Sequence, residues 1–159
     1  MTGNIVAIHD NHDSSVSFYN GETGKYHIIE LERLLKERHY KIGDLYDSGI
    51  RIELLKDCRF IAKKYWGIEN DYECVLVSSQ YDDSFENNTI KKVFNSKEFI
   101  TLENHHHTHA ACAFYQSPFD KALIFSYDGG GQQEYFNFYD ADKHSIKLLD
   151  KLPINLGAG

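Results

Sequence analysis

Asn104-His105-His106-His107-Thr108-His109-Ala110-Ala111-Cys112-Ala113-Phe114 is the stretch on which the reading of this chain turns. Its small and apolar second half predicts a helix running to Tyr115, with the Asn104 side chain as its cap and Pro118 beyond its end. On such a helix His105 and His109 stand one turn apart on one face and can offer two imidazoles to a single ion. His106 and His109, three apart, form an overlapping candidate pair. Imidazole suits zinc, iron, nickel and copper, so the pattern points to a transition metal rather than calcium or magnesium. A third ligand is at hand in Asp128, which ends the strand-like run Ala122 to Tyr127. The three glycines after it, Gly129, Gly130 and Gly131, allow backbone N–H groups to approach an anion, as in a phosphate-cradling turn. Taken singly, a His-rich stretch is a solvated helix start and a Gly run is a hairpin turn; in this order they suggest metal and phosphate in one site.

Outward from the histidines, the chain reads as alternating strands and helices. Ile5 to Ile8, Ser15 to Tyr19 and His27 to Leu31, separated by polar breaks, predict three antiparallel strands. Apolar residues from Ile50 to Tyr65 recur at helical spacing, and Gly67 is a plausible C-cap. Cys74 to Val77 predicts a buried strand, Ile90 to Asn95 a short helix, and Glu98 to Leu102 another strand. After the His helix the pattern restarts, with strand-like runs at Ala122 to Tyr127, Tyr135 to Tyr139 and Ile146 to Leu149. That repetition predicts a duplicated, two-lobed α/β protein, with residues 1–120 a complete first lobe and 121–159 the truncated start of a second. No helix follows to cover the second sheet, so one apolar face is expected to stay open and to favour self-association.

Bulk composition narrows the function. The 159 residues include 42% hydrophobic and 26% charged residues, a folded composition rather than a disordered one. A formal net charge of -7 argues against a nucleic-acid partner, which calls for a basic face. No apolar stretch approaches the length of a membrane span, and no secretion signal is visible at the start. Cys58, Cys74 and Cys112 are odd in number and widely spaced, which fits neither a disulfide framework nor a thiolate zinc site and suits a reducing cytoplasm.

The run His105 to Tyr115, followed by Ser117-Pro118-Phe119-Asp120 and Phe125-Ser126-Tyr127-Asp128-Gly129, resembles the signature of the carbamoyltransferase family that includes the nodulation and tobramycin carbamoyltransferases. Ile5-Val6-Ala7-Ile8 with His12-Asp13-Ser14-Ser15 looks like that family's first strand and its His-Asp-Ser-Ser turn. Glu30-Leu31-Glu32-Arg33, with Arg38-His39 after it, looks like a degenerate form of the family's Glu-Glu-Arg and basic-His segment. Gln132 stands where the family commonly has an acidic residue, and Leu31 interrupts the usual paired glutamates.

The resemblance implies an actin-like, ribonuclease H-like duplicated lobe fold that binds a nucleotide and a metal. A separate C-terminal domain, absent from this chain, would make carbamoyl-adenylate from carbamoyl phosphate and ATP. The actin-like part would then pass the carbamoyl group to a small-molecule acceptor bearing a hydroxyl. It further implies His105, His109 and Asp128 as ligands of a divalent transition metal, Fe2+ ahead of Zn2+ or Mn2+, and Gly129 to Gly131 as the phosphate or nucleotide turn. His12 becomes the catalytic histidine, with Asp13, Ser14, Ser15 and His39 around the carbamoyl group. Two other readings stand beside this one. In one, the chain is a non-enzymatic metal- and nucleotide-binding module that docks on a partner supplying the missing half. Another branch of the superfamily, such as the threonylcarbamoyl transferases or hydrogenase-maturation proteins, shares the His-x-x-x-His pair, but Ser117 to Asp120 and the His12 to Ser15 turn point away from it.

Overall fold

The computed structural model describes residues 3–42, 48–78, 84–102, 105–127 and 136–153. It divides into two compact units, Met1–Leu102 and Glu103–Gly159. The His-rich helix packs on the strands that follow it and falls within the second unit.

The first unit is built on a five-stranded mixed sheet. Its strands are β1 (Asn4–His9), β2 (Ser15–Asn20), β3 (Lys25–Glu30), β4 (Tyr72–Ser78) and β5 (Ser96–Leu102), in the order β3-β2-β1-β4-β5. The first three form the expected antiparallel meander, whereas β4 runs parallel to β1 and β5 parallel to β4. Register explains the core. Val6 sits opposite Phe18 and Val75, and Ile8 opposite Val16 and Val77, so these six buried side chains share one face of the sheet.

Helix α2 (Ser48–Trp66) contributes Leu54, Leu55, Cys58 and Ala62 to the same core. It ends where Gly67 takes φ +68°, and the Ile68 amide donates to the Ala62 carbonyl, closing the last turn. Phe18 lies at the centre of an aromatic cluster, its ring 5.9 Å from Trp66, 6.4 Å from Phe94 and 6.5 Å from Tyr72.

Two helices depart from the sequence expectation. Leu31 does not end a strand but opens the short helix α1 (Leu31–Leu35), closed by Lys36 at φ 58°. Helix α3 runs Ser84–Val93, starting well before Ile90 and ending two residues short of Asn95. The polar run Glu86 to Thr89 hid its first turns from the apolar period.

In the second unit, α4 (His105–Tyr115) packs on a three-stranded antiparallel sheet of β6 (Lys121–Tyr127), β7 (Phe136–Asp142) and β8 (Ser145–Leu152), ordered β6-β7-β8. The buried His106 ring meets Ser126 from α4, and His107 meets the Tyr139 ring edge-on at 5.8 Å. Leu123, Phe125 and Tyr127 alternate onto the opposite face and are exposed, with Phe125 5.1 Å from Phe136 and 5.0 Å from Phe138. Asp128, Gly129, Gly130, Gly131 and Gln132, and the Asn104 cap, lie outside the described residues. No described helix is long and apolar enough to cross a membrane.

Candidate functional site

Two clusters of functional groups emerge, one in each unit. In the first unit the β1–β2 turn carries His12 and Asp13. Asp13 adopts φ 60°, a left-handed conformation that short polar side chains tolerate, and this turns its carboxylate toward two imidazoles. His12 Nδ1 lies 2.9 Å from Oδ2 and His39 Nδ1 lies 3.1 Å from Oδ1. These hydrogen bonds hold the Asp13 carboxyl below the usual carboxylate range. Both imidazoles remain largely open to solvent.

His39 also has a left-handed backbone, at φ 57°, which costs a bulky residue about 1–2 kcal/mol. A compensating contact comes from Glu32 on α1, whose Oε2 accepts the His39 backbone N–H at 3.2 Å. Asp13, Glu32 and His39 thereby bring one ligand atom each to within 4.8 Å of one another. The sequence resemblance had touched Glu32 only as part of a motif. Beyond Lys36 the chain returns toward α1, so that the His39 backbone N–H reaches the Glu32 carboxylate.

Ser14, expected among the pocket residues, is wholly buried and ties the turn together. Its hydroxyl donates to the Asn11 carbonyl and accepts the Ile42 amide at 2.9 Å. Its backbone bonds Tyr40 and Leu31, so the turn, the start of α1 and the segment around residue 40 are held as one piece. Ser14 thus ties the turn to the start of α1 and to the segment around residue 40. Ser15 begins β2 and pairs with His9 and Glu30. Asp10, overlooked in the sequence, follows β1 and is 4% exposed, and neither carboxylate oxygen has a hydrogen-bond partner among the described residues. It lines a small internal space with Ile8, Ile42, Arg51, Leu55 and Ile90.

In the second unit, the helix periodicity has the predicted consequence. His105 Nε2 and His109 Nε2 lie 2.9 Å apart, with ring centroids 4.4 Å apart and planes at 86°. Two nitrogens bonded to one ion at about 2.1 Å and a right angle stand about 3 Å apart, so the pair has the spacing of adjacent ligands. The overlapping pair of His106 and His109 is not formed: His106 turns inward, its Nδ1 2.9 Å from Ser126 Oγ. Two imidazole nitrogens at this spacing are a donor pair of the kind that transition metals take.

The solved structure of full-length HypF in its phosphate- and nucleotide-bound form shares the fold, with a TM-score of 0.56 at 18% sequence identity. The alignment takes in 91% of this chain but only 21% of that one, so the chain spans about a fifth of the HypF length. No curated protein matches the sequence. The family model described as carbamoyltransferase N-terminus aligns with residues 60–157, a span that contains His105 and His109. With more than half of its length in that alignment, the chain belongs to the carbamoyltransferase N-terminus family.

Proposed function

We propose that this chain is the N-terminal portion of an O-carbamoyltransferase, which transfers a carbamoyl group from carbamoyl-adenylate to an acceptor hydroxyl. The observation that carries the reading is the convergence of His105 and His109 at 2.9 Å within a chain of this family. His105, His109 and Asp128 would hold a divalent transition metal, Fe2+ before Zn2+ or Mn2+, and Gly129 to Gly131 would receive the phosphate. When bound, the ion supplies Lewis-acid stabilisation of the phosphate charge.

The protein's own part centres on His12. With Nδ1–H donated to Asp13 Oδ2, the lone pair sits on Nε2, where it can take the proton of the acceptor hydroxyl as the oxygen attacks the carbamoyl carbon and the bond from that carbon to the adenylate phosphate oxygen breaks, releasing AMP. Asp13 fixes that tautomer and stabilises the imidazolium that forms, as a buried carboxylate does in a catalytic triad, though more weakly here because Asp13 is half-exposed. In this reading residues 1–120 form the first lobe and residues 121–159 the start of the second lobe of a duplicated actin-like fold. What supports that is the repetition of the β1-β2-β3 antiparallel order in β6-β7-β8. Carbamoyl phosphate and ATP would act through a further domain, and the open β6-β7-β8 face would favour self-association.

The test supplies an adenylate-forming carbamoyltransferase domain in trans, with labelled carbamoyl phosphate, ATP and a panel of hydroxyl-bearing acceptors. Label entering an acceptor with wild type and falling at least about a hundredfold with His12→Ala is the expected result. Transfer that His12→Ala leaves unchanged would remove the histidine from the mechanism.

A further inference from the structure

We propose that Asp13, Glu32 and His39 form a second divalent-cation site, with ligands distinct from the His105 and His109 pair. The three donors come from separate pieces of chain, the β1–β2 turn, the first turn of α1 and the turn beyond α1, yet their ligand atoms lie within 4.8 Å of one another. Asp13 Oδ1 and His39 Nδ1, at 3.1 Å, have the spacing of neighbouring ligands around an ion bonded at about 2.1 Å. The frame under them is fixed: buried Ser14 bonds Leu31, Tyr40 and Ile42, which anchors both flanks of the cluster to the Asp13 turn.

Charge favours a cation here. Two carboxylates at this range repel, and a divalent ion between them relieves that repulsion. Solvent exposure at Asp13 and His39 leaves open positions for water or a substrate oxygen. One imidazole nitrogen with two carboxylate oxygens is a ligand set for Mn2+, Fe2+ or Zn2+. An ion on Asp13 Oδ1 leaves Oδ2 on His12 Nδ1, so loading this site also fixes the orientation of the His12 ring. The cation site does not depend on carbamoyl transfer and is read by binding alone.

The experiment titrates the chain with Mn2+ and follows free Mn2+ by electron paramagnetic resonance, in wild type and in His105→Ala/His109→Ala. We expect two equivalents in wild type and one in the double variant. Adding Glu32→Gln, or His39→Ala, to the double variant should weaken the remaining equivalent about tenfold or more. Glu32→Gln retains an oxygen for the His39 amide, so the turn survives the change. A double variant that binds no Mn2+, or a remaining equivalent indifferent to both Glu32→Gln and His39→Ala, overturns the proposal. A single wild-type equivalent that survives the α4 changes and is lost with Glu32→Gln supports this site and instead removes the α4 centre.

Discussion

Ser14 Oγ accepts the backbone N–H of Ile42 at 2.9 Å, across 28 residues of sequence and entirely out of solvent. Ser14→Ala strips the partner from a buried amide, and such a loss costs about 1–3 kcal/mol. Urea unfolding should register that cost as a lower midpoint at unchanged slope. An unchanged midpoint would mean that the turn is held by its backbone bonds alone.

Tyr72 presents the opposite case. Its hydroxyl is buried without a hydrogen-bond partner among the described residues, and burial pushes the phenol up to about 12. Tyr72→Phe keeps the ring packed against Phe94, 5.7 Å away, while removing the unpartnered group. Thermal unfolding should show stability unchanged or raised by up to about 1 kcal/mol. A clear loss would reveal a partner for the hydroxyl.

Asp13 sets a pH dependence whose sign is fixed by its partners. Its folded carboxyl lies below the ordinary carboxylate value because His12 and His39 hydrogen-bond it. The group therefore adds stability above its unfolded value and loses it as pH falls through the lower folded one. Half-exposure keeps the effect below about 1 kcal/mol. The stability gap between wild type and Asp13→Asn should be present at about pH 5 and close as pH drops below about 3.9. A gap that widens toward acid would assign the wrong partners.

Much of this was readable from the sequence, and the exceptions have physical causes. Strand alternation located the meander and β6-β7-β8, because a half-buried strand writes its faces at every second residue. The four-residue spacing of His105 and His109 was sufficient to bring their rings together. Helix α1 was hidden because Leu31 to Leu35 is short and sits in a charged run from Glu30 to Lys41. With α1 unseen, Glu32 had no reason to face His39. The bond from the Ile42 amide to Ser14 was not legible either, because a hydroxyl in a turn carries the same letter whatever it meets. Sequence repetition marks where strands restart, and it carries no sign that α4 packs on the strands after it.

The open face of the second sheet predicts concentration-dependent association. Leu123 is 72% exposed and Phe125 54%. Sedimentation velocity should show a larger species growing with concentration, and Phe125→Glu should return the chain to monomer. A monomer at all concentrations would show that the face is not sticky enough to associate.

The metal centre on α4 is open to metal analysis of the purified chain beside His105→Ala and His109→Ala, with ATP-dependent thermal shift on the same samples. Each variant should lose one equivalent of transition metal and the ATP response with it. Metal content and ATP response equal to wild type in both variants would contradict a metal centre on α4, and with it the proposed carbamoyl-transfer site.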